Sequence, residues 1–217
     1  MPPALAGIAS TSGAVTVIQS PTGTLNSNTL QSDTTVYVWF ERKVTSPGSQ
    51  SLDHVGAGTV NNGGAFGSGQ PSPGTATPLV AESYVVHFDQ ENGVGSDSVA
   101  ISNVTITFER AILGVWFTTS GLSGSDTQWT PAGLTYGSLT ARPYELGTSG
   151  TSDQFQISSD LLTLTILNTF TTGNGVDQLR VLVSPEPGTW ALMGLGLCGL
   201  GALAWRRRRR ASAAQHG

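Results

Sequence analysis

Residues 104–108 read VTITF and residues 162–166 read LTLTI, two five-residue runs in which apolar and threonine side chains alternate without a break. A period of two puts Val104, Ile106 and Phe108 on one face of a strand and Thr105 and Thr107 on the other. Leu162, Leu164 and Ile166 repeat the plan against Thr163 and Thr165. Each run is half-buried, which is the signature of a sheet with one face on a core and one face in water. Working outward, similar β-branched or alternating runs occur at Ala14–Ile18, Thr34–Glu41, Ser83–Phe88, Ile101–Phe108, Ile112–Phe117, Leu134–Thr140, Phe155–Ser158, Leu161–Leu167 and Gln178–Val183. Turn-forming sets such as TSGTSD and TTGNGVD separate them, and helical periodicity is nearly absent. Nine short strands predict an all-β domain, an antiparallel β-sandwich of jelly-roll type, over residues 1–184.

Between Val44 and Leu79 the chain holds eight glycines and four prolines with little periodicity. This predicts a long Gly/Ser/Pro-rich loop over about residues 44–80, serving either as a binding lip or as inert disorder. No fixed-period repeat stands out, which argues against a solenoid.

The 217 residues are 38% hydrophobic and only 11% charged, enough for one core with accessories. Charge is unevenly placed. Residues 1–184 hold five Lys/Arg against thirteen Asp/Glu, a net of −8, whereas residues 185–217 hold five Arg against Glu186, a net of +4. An acidic body repels nucleic acid, and the basic block follows an apolar run instead of decorating a folded face, so no nucleic-acid partner is expected. Cys198 is the sole cysteine. The body therefore forms no internal disulfide and must stand on its core, which suits either a cytosolic or an exported address.

The C-terminus reads VSPEPGTWALMGLGLCGLGALAWRRRRRASAAQHG from Val183. Gly188–Trp205 is eighteen residues without a formal charge, about 27 Å as a helix, which predicts a single transmembrane helix with little tilt. Trp190 and Trp205 sit at its ends as interface anchors, and Arg206, Arg207, Arg208, Arg209 and Arg210 act as a stop that stays cytoplasmic, leaving the body outside. A buried core helix is the alternative, but an apolar surface on all sides ending in five arginines does not suit one. Gly194, Cys198 and Ala202 recur every four residues and could form a close helix-packing seam, although small residues are common in such helices. Gly194, Gly196 and Gly199 also spell a dinucleotide-binding fingerprint, but no strand precedes it and no acidic residue follows about twenty positions on. The two prolines of Pro185-Glu186-Pro187 hold the chain extended ahead of the span. In the plainer reading that stretch is an ordinary linker to a membrane anchor.

Pro185-Glu186-Pro187, then Gly188-Thr189-Trp190-Ala191-Leu192, a Gly-rich apolar helix and an Arg cluster resemble the PEP-CTERM sorting signal over about residues 184–210. The resemblance implies an address label recognised by an exosortase in the inner membrane, which processes it and releases or re-anchors an exported protein. Such proteins belong to Gram-negative bacteria that make exopolysaccharide. It further implies a route from inner-membrane precursor to cell surface or extracellular matrix, with the exosortase, the inner membrane and exopolysaccharide as partners. The stretches SYVVHFDQENGVGSDSV, FERAILGVWFTTSGLSGSD and GVDQLRVLV resemble a body type that recurs in proteins with this tail, and that likeness brings no catalytic residues with it. Family members begin with a secretory signal, whereas MPPALAGIASTSGAVTVIQSP has no basic start and no apolar run of seven. One expectation is that Met1 lies downstream of the natural start, with ALAG a remnant near a cleavage site. The other is that the chain inserts by its tail.

Chemistry within the body is sparse. His54, His87 and His216 are scattered, no zinc motif is present, and His87 reads as a partly buried strand residue. There is no Gly-x-Ser-x-Gly elbow, so no catalytic residue is nominated and no cofactor is expected. Asp89, Glu91, Asn92 and Asp97, on a glycine-turned stretch, are weak calcium candidates whose spacing does not match an EF-hand; a solvated acidic turn is the plainer reading. Trp39 and Trp116 lie in apolar strands and read as core, while Trp129, in SGSDTQWTPAG, reads as an exposed loop residue able to stack on a sugar. The expected function is that of an exported, non-catalytic surface or matrix protein with a structural or adhesive role. A carbohydrate-binding module and a secreted hydrolase are the alternatives.

Overall fold

The computed structural model describes residues 7–26, 29–61, 71–91, 99–137, 142, 144, 146, 153–171 and 176–184. The chain divides into two units, Met1–Ser184 and Pro185–Gly217, and the described residues all lie in the first. The proposed span, Trp190, Trp205, Pro185-Glu186-Pro187, Arg206–Arg210, Asn92 and Asp97 lie outside the described residues. Among the described residues no helix is long and apolar enough to cross a membrane.

In chain order the elements are β1 (Ile8–Ser12), β2 (Val15–Val17), β3 (Gly23–Leu25), β4 (Val36–Thr45), β5 (Gln50–Leu52), β6 (Gly58–Val60), β7 (Gly74–Ala76), β8 (Val80–Asp89), β9 (Val99–Phe108), β10 (Ile112–Trp116), α1 (Thr119–Trp129), β11 (Leu134–Tyr136), β12 (Gln154–Ile157), β13 (Thr163–Thr171) and β14 (Val176–Val183). Among the described residues the body is all-β apart from one short helix. One five-stranded sheet has the order β1-β9-β13-β12-β6, and its pairs are antiparallel. The two opening stretches are neighbours in it, with Leu164 opposite Ile106 and Thr165 opposite Thr105. The second sheet runs β10-β14-β8-β4-β2. The sheets pack face to face through one apolar cluster that takes Val104, Ile106, Phe108, Phe155, Leu164 and Ile166 from the first and Val38, Tyr84, Val86, Phe88, Leu179 and Val181 from the second. Each such side chain contributes about 1.5–3 kcal/mol on burial.

The expected uniformly antiparallel order is corrected at two places. β2 runs parallel to β4, and β3 pairs in parallel with β11. Parallel partners need long connections: residues 18–35, which include β3, join β2 to β4, and most of the body lies between β3 and β11, a pair that packs on the second sheet. The outer face of that sheet is covered. Every residue of β8 and of β14 is buried, because α1 and β5 cap it through Leu52, Ala81, Trp116, Leu122, Trp129 and Leu182, and β3 and β11 cap it through Leu25, Trp39, Val85, Leu134 and Tyr136. The long loop expected over 44–80 is also corrected. Three short strands form within it: β5 pairs with β7, and β6 joins the first sheet beside β12.

Candidate functional site

The covered face of the second sheet carries an open groove of about 430 Å3 between β5 and α1. Helix α1, sequence TSGLSGSDTQW, is rich in serine, threonine and glycine, which are modest to poor helix formers. Its position is set by partners outside it. The Thr118 N-cap has extended backbone, and its hydroxyl oxygen accepts from the Gly121 N–H at 3.0 Å. Asp53 Oδ2 accepts from the Phe117 N–H (2.8 Å), the Thr118 N–H (2.8 Å) and the Thr118 hydroxyl (2.9 Å). Leu122, Ser125 and Trp129, spaced one turn and two turns apart, face inward. The Trp129 indole N–H donates to Gln50 Oε1 at 3.1 Å, the Trp116 indole N–H donates to the Ser51 carbonyl at 2.5 Å, and the Gln128 amide donates to the Pro47 carbonyl at 2.8 Å. The Trp129 and Gln128 bonds tie the helix to the β5 segment, the Trp116 bond ties β10 to it, and the groove lies between helix and segment.

Ser49, Ser51, Asp53, Ser120, Gly124 and Gln128 line it, with Trp116 in its wall. A Cβ on Gly121 would stand 2.3 Å from Asp53 Oδ2, so only glycine allows the carboxylate to approach the first helical turn this closely. At Gly124, by contrast, a Cβ would meet nothing within 4 Å, because that position opens onto the groove.

Beneath α1 lies a buried ionic network. Glu41 occupies the extra position of a β-bulge between Phe40 and Arg42 in the β4–β8 pairing. The fully buried Arg180, on β14, donates from Nε to Glu41 Oε2 at 2.7 Å and from Nη2 to Oε1 at 2.8 Å, a two-pronged pair. Its other hydrogens reach the Leu122 carbonyl (3.0 Å), Ser125 Oγ (2.5 Å) and Asp126 Oδ1 (2.8 Å). The Ser83 and Tyr136 hydroxyls both donate to Glu41. Burial works against the Arg180 charge, but Glu41, followed by Tyr136 and Asp126, outweighs it and raises its pKa. Burial and the Glu41 charge raise that of Tyr136. Arg142 completes the network, bonding Asp126 at 2.7 Å and Gln178 Oε1 at 2.7 Å and standing 4.1 Å over the Tyr136 ring. With its oxygen so engaged, the Gln178 amide donates to His87 Nδ1 at 3.0 Å, which fixes His87 as the neutral Nε2–H tautomer. Burial pushes the His87 pKa down to about 4, and the Arg142 charge acts in the same direction.

The structure distributes the sequence-derived candidates widely. Trp39 and Trp116 are buried, as expected. The expectation of an exposed Trp129 is corrected: it is the last residue of α1 and is 0% exposed, wedged against Trp116 with its indole N–H bonded, so it offers no face for stacking. His87 is fully rather than partly buried because the second sheet is covered on both faces. Asp89 is buried, whereas Glu91 is exposed and receives its backbone contact from Asp33, the Glu91 N–H donating to Asp33 Oδ1 at 2.8 Å. Among the described residues no group of three or more His, Cys, Asp or Glu could hold a metal. The groove itself went unread because its walls come from the supposed loop and from a helix without a strong period. The available signal was the Leu122–Ser125–Trp129 spacing behind a Thr N-cap.

Comparison with curated proteins and with solved structures gives no match. The family model of the PEP-CTERM protein-sorting motif matches residues 185–209. That span takes in Pro185-Glu186-Pro187, Trp190, Trp205 and Arg206–Arg209, and ends one residue short of Arg210. Immediately after its β-rich body, the chain carries a PEP-CTERM motif, the mark of an exported cell-envelope protein processed at the membrane by an exosortase.

Proposed function

We propose that this protein is displayed at the bacterial surface or in the exopolysaccharide matrix, where it serves a non-catalytic structural or adhesive role after exosortase sorting. The observation that carries the reading is the PEP-CTERM match at residues 185–209, directly after a unit that ends at Ser184. In this account Gly188–Trp205 crosses the inner membrane, Arg206–Arg210 remain cytoplasmic, and Pro185-Glu186-Pro187 presents an extended strip to the exosortase. The body supports a structural role, since its fully buried Arg180–Glu41 pair is spent on holding α1 to the sheet: Arg180 satisfies three helix groups and Glu41 together. A glycoside hydrolase of the two-carboxylate type would need its carboxylates about 5–9.5 Å apart in a cleft. Asp53 is the carboxylate that the described lining supplies, and one of its oxygens is engaged by three bonds to Phe117 and the Thr118 N-cap.

The test is expression of the full chain in two hosts, one with a matching exosortase and one without. The reading expects a shortened form at the surface or in the medium of the first host and the intact membrane-bound chain in the second. Full-length protein retained in the membrane of both hosts would refute it.

A further inference from the structure

We propose that the groove between β5 and α1 binds a neutral, hydroxyl-rich ligand, one or two residues of an uncharged saccharide. Its volume of about 430 Å3 falls within the roughly 300–1,000 Å3 typical of small-molecule sites. The lining is chemically selective. Ser49, Ser51 and Ser120 present hydroxyls, which both donate and accept and so can match a sugar hydroxyl in either sense. Among the described residues the Ser49 and Ser51 hydroxyls make no hydrogen bond, and neither does Asp53 Oδ1, while the three bonds to Asp53 Oδ2 hold that carboxylate in place. A fixed acceptor is left over for a ligand that can donate.

Charge decides between saccharide classes. Asp53 is the ionic group of the described lining, and no described cation lines the groove to balance it. Uronates and phosphorylated sugars would be repelled in a partly desolvated site, whereas neutral hexoses would not. The walls are also preformed. Arg180 fixes the middle of α1, and Gln50 and Gln128 fasten the helix to the β5 segment, so little ordering cost falls on binding. The inference deepens the adhesive reading and rests on it only for where the ligand is met.

The probe is an array of neutral hexose oligosaccharides beside uronate-bearing ones, applied to the purified full chain and followed by calorimetry on the best binder. Two variants accompany it. Gly124→Leu fills the groove from a position where a side chain meets nothing within 4 Å, so melting should be preserved while affinity falls at least tenfold. Ser49→Ala combined with Ser51→Ala removes two solvent-facing hydroxyls and should weaken binding by about tenfold. Neutral binding weakened by about tenfold or more in both variants is the expected result. The proposal is overturned by the absence of neutral binding at millimolar concentration, by preference for the uronates, or by affinity unchanged in the double serine variant. None of these outcomes alters exosortase processing, so a failed groove and a failed sorting signal read out separately.

Discussion

Replacing Arg180 with methionine tests whether the buried network is what seats α1. The guanidinium is fully buried and makes five hydrogen bonds: two to Glu41 and one each to Leu122, Ser125 and Asp126. Methionine preserves much of the apolar stem but leaves the buried Glu41 carboxylate without its cation. Breaking a buried pair in this way costs about 3–5 kcal/mol, because the orphaned charge keeps its desolvation penalty. Asp126 retains Arg142 at 2.7 Å, so its loss is smaller. With a urea m-value near 2–3 kcal/mol/M, the midpoint should fall by roughly 1–2.5 M. Pairing Arg180→Met with Glu41→Leu removes both charges and should recover a large part of that loss. The assay is urea unfolding of the full chain followed by tryptophan fluorescence, to which Trp129 and Trp116 report directly from the helix interface. A midpoint shift below about 0.3 M for Arg180→Met, or a double variant worse than the single one, would refute the argument.

Stability should also depend on pH through His87. Its folded pKa of about 4 lies below the unfolded value near 6.5, so the unfolded chain binds the proton first as pH falls. The contribution is therefore intact above pH 6.5 and is lost progressively down to about pH 4, amounting to about 3 kcal/mol; in His87→Gln the slope of unfolding free energy between pH 6.5 and 4.5 should flatten, although His54, also lowered by burial, leaves a remainder of the same sign. Two glycines of α1 should respond oppositely. Gly121→Ala drives a Cβ to 2.3 Å from Asp53 and should destabilise by about 1–3 kcal/mol, whereas Gly124→Ala enters open space and should stabilise by up to about 1 kcal/mol; calorimetric melting separates them. Neutral replacements at Arg206–Arg210 should expose a tag placed after Gly217 to protease added to spheroplasts, since the retained positive charge would be gone.

The strands with one wet face were legible because solvent enforces alternation. VTITF and LTLTI not only form strands but lie side by side in register. β8 and β14 were legible only as apolar runs, since cover on both faces erases the period, and the polar residues within them, Glu82, Ser83, His87, Asp89, Asp177, Gln178 and Arg180, give no hint of burial until the pairing is known. Helix α1 was illegible for a related reason. Its intrinsic propensity is low, and its partners come from far along the chain: Asp53 lies 64 residues before Phe117, and Glu41 lies 139 residues before Arg180. Trp129 was misread as an exposed loop residue on the same account. β5 and β7 escaped because three-residue strands in Gly/Pro-rich sequence carry no usable pattern. The tail was the easiest part to read, because a span-length apolar run and a basic stop are properties of composition and order that require no tertiary partner.

The most direct test of the sorting account is the intact mass of membrane and released fractions from an exosortase-bearing host, compared between the parent chain and a variant with Pro185, Glu186 and Pro187 all replaced by alanine. The substitution keeps the hydrophobic length, so membrane insertion should persist in both. The account predicts a released, shortened parent protein lacking the apolar run and the arginines, and a full-length variant held in the membrane. Equal release of the same shortened mass from both would show that the tripeptide is only a linker and would contradict the account.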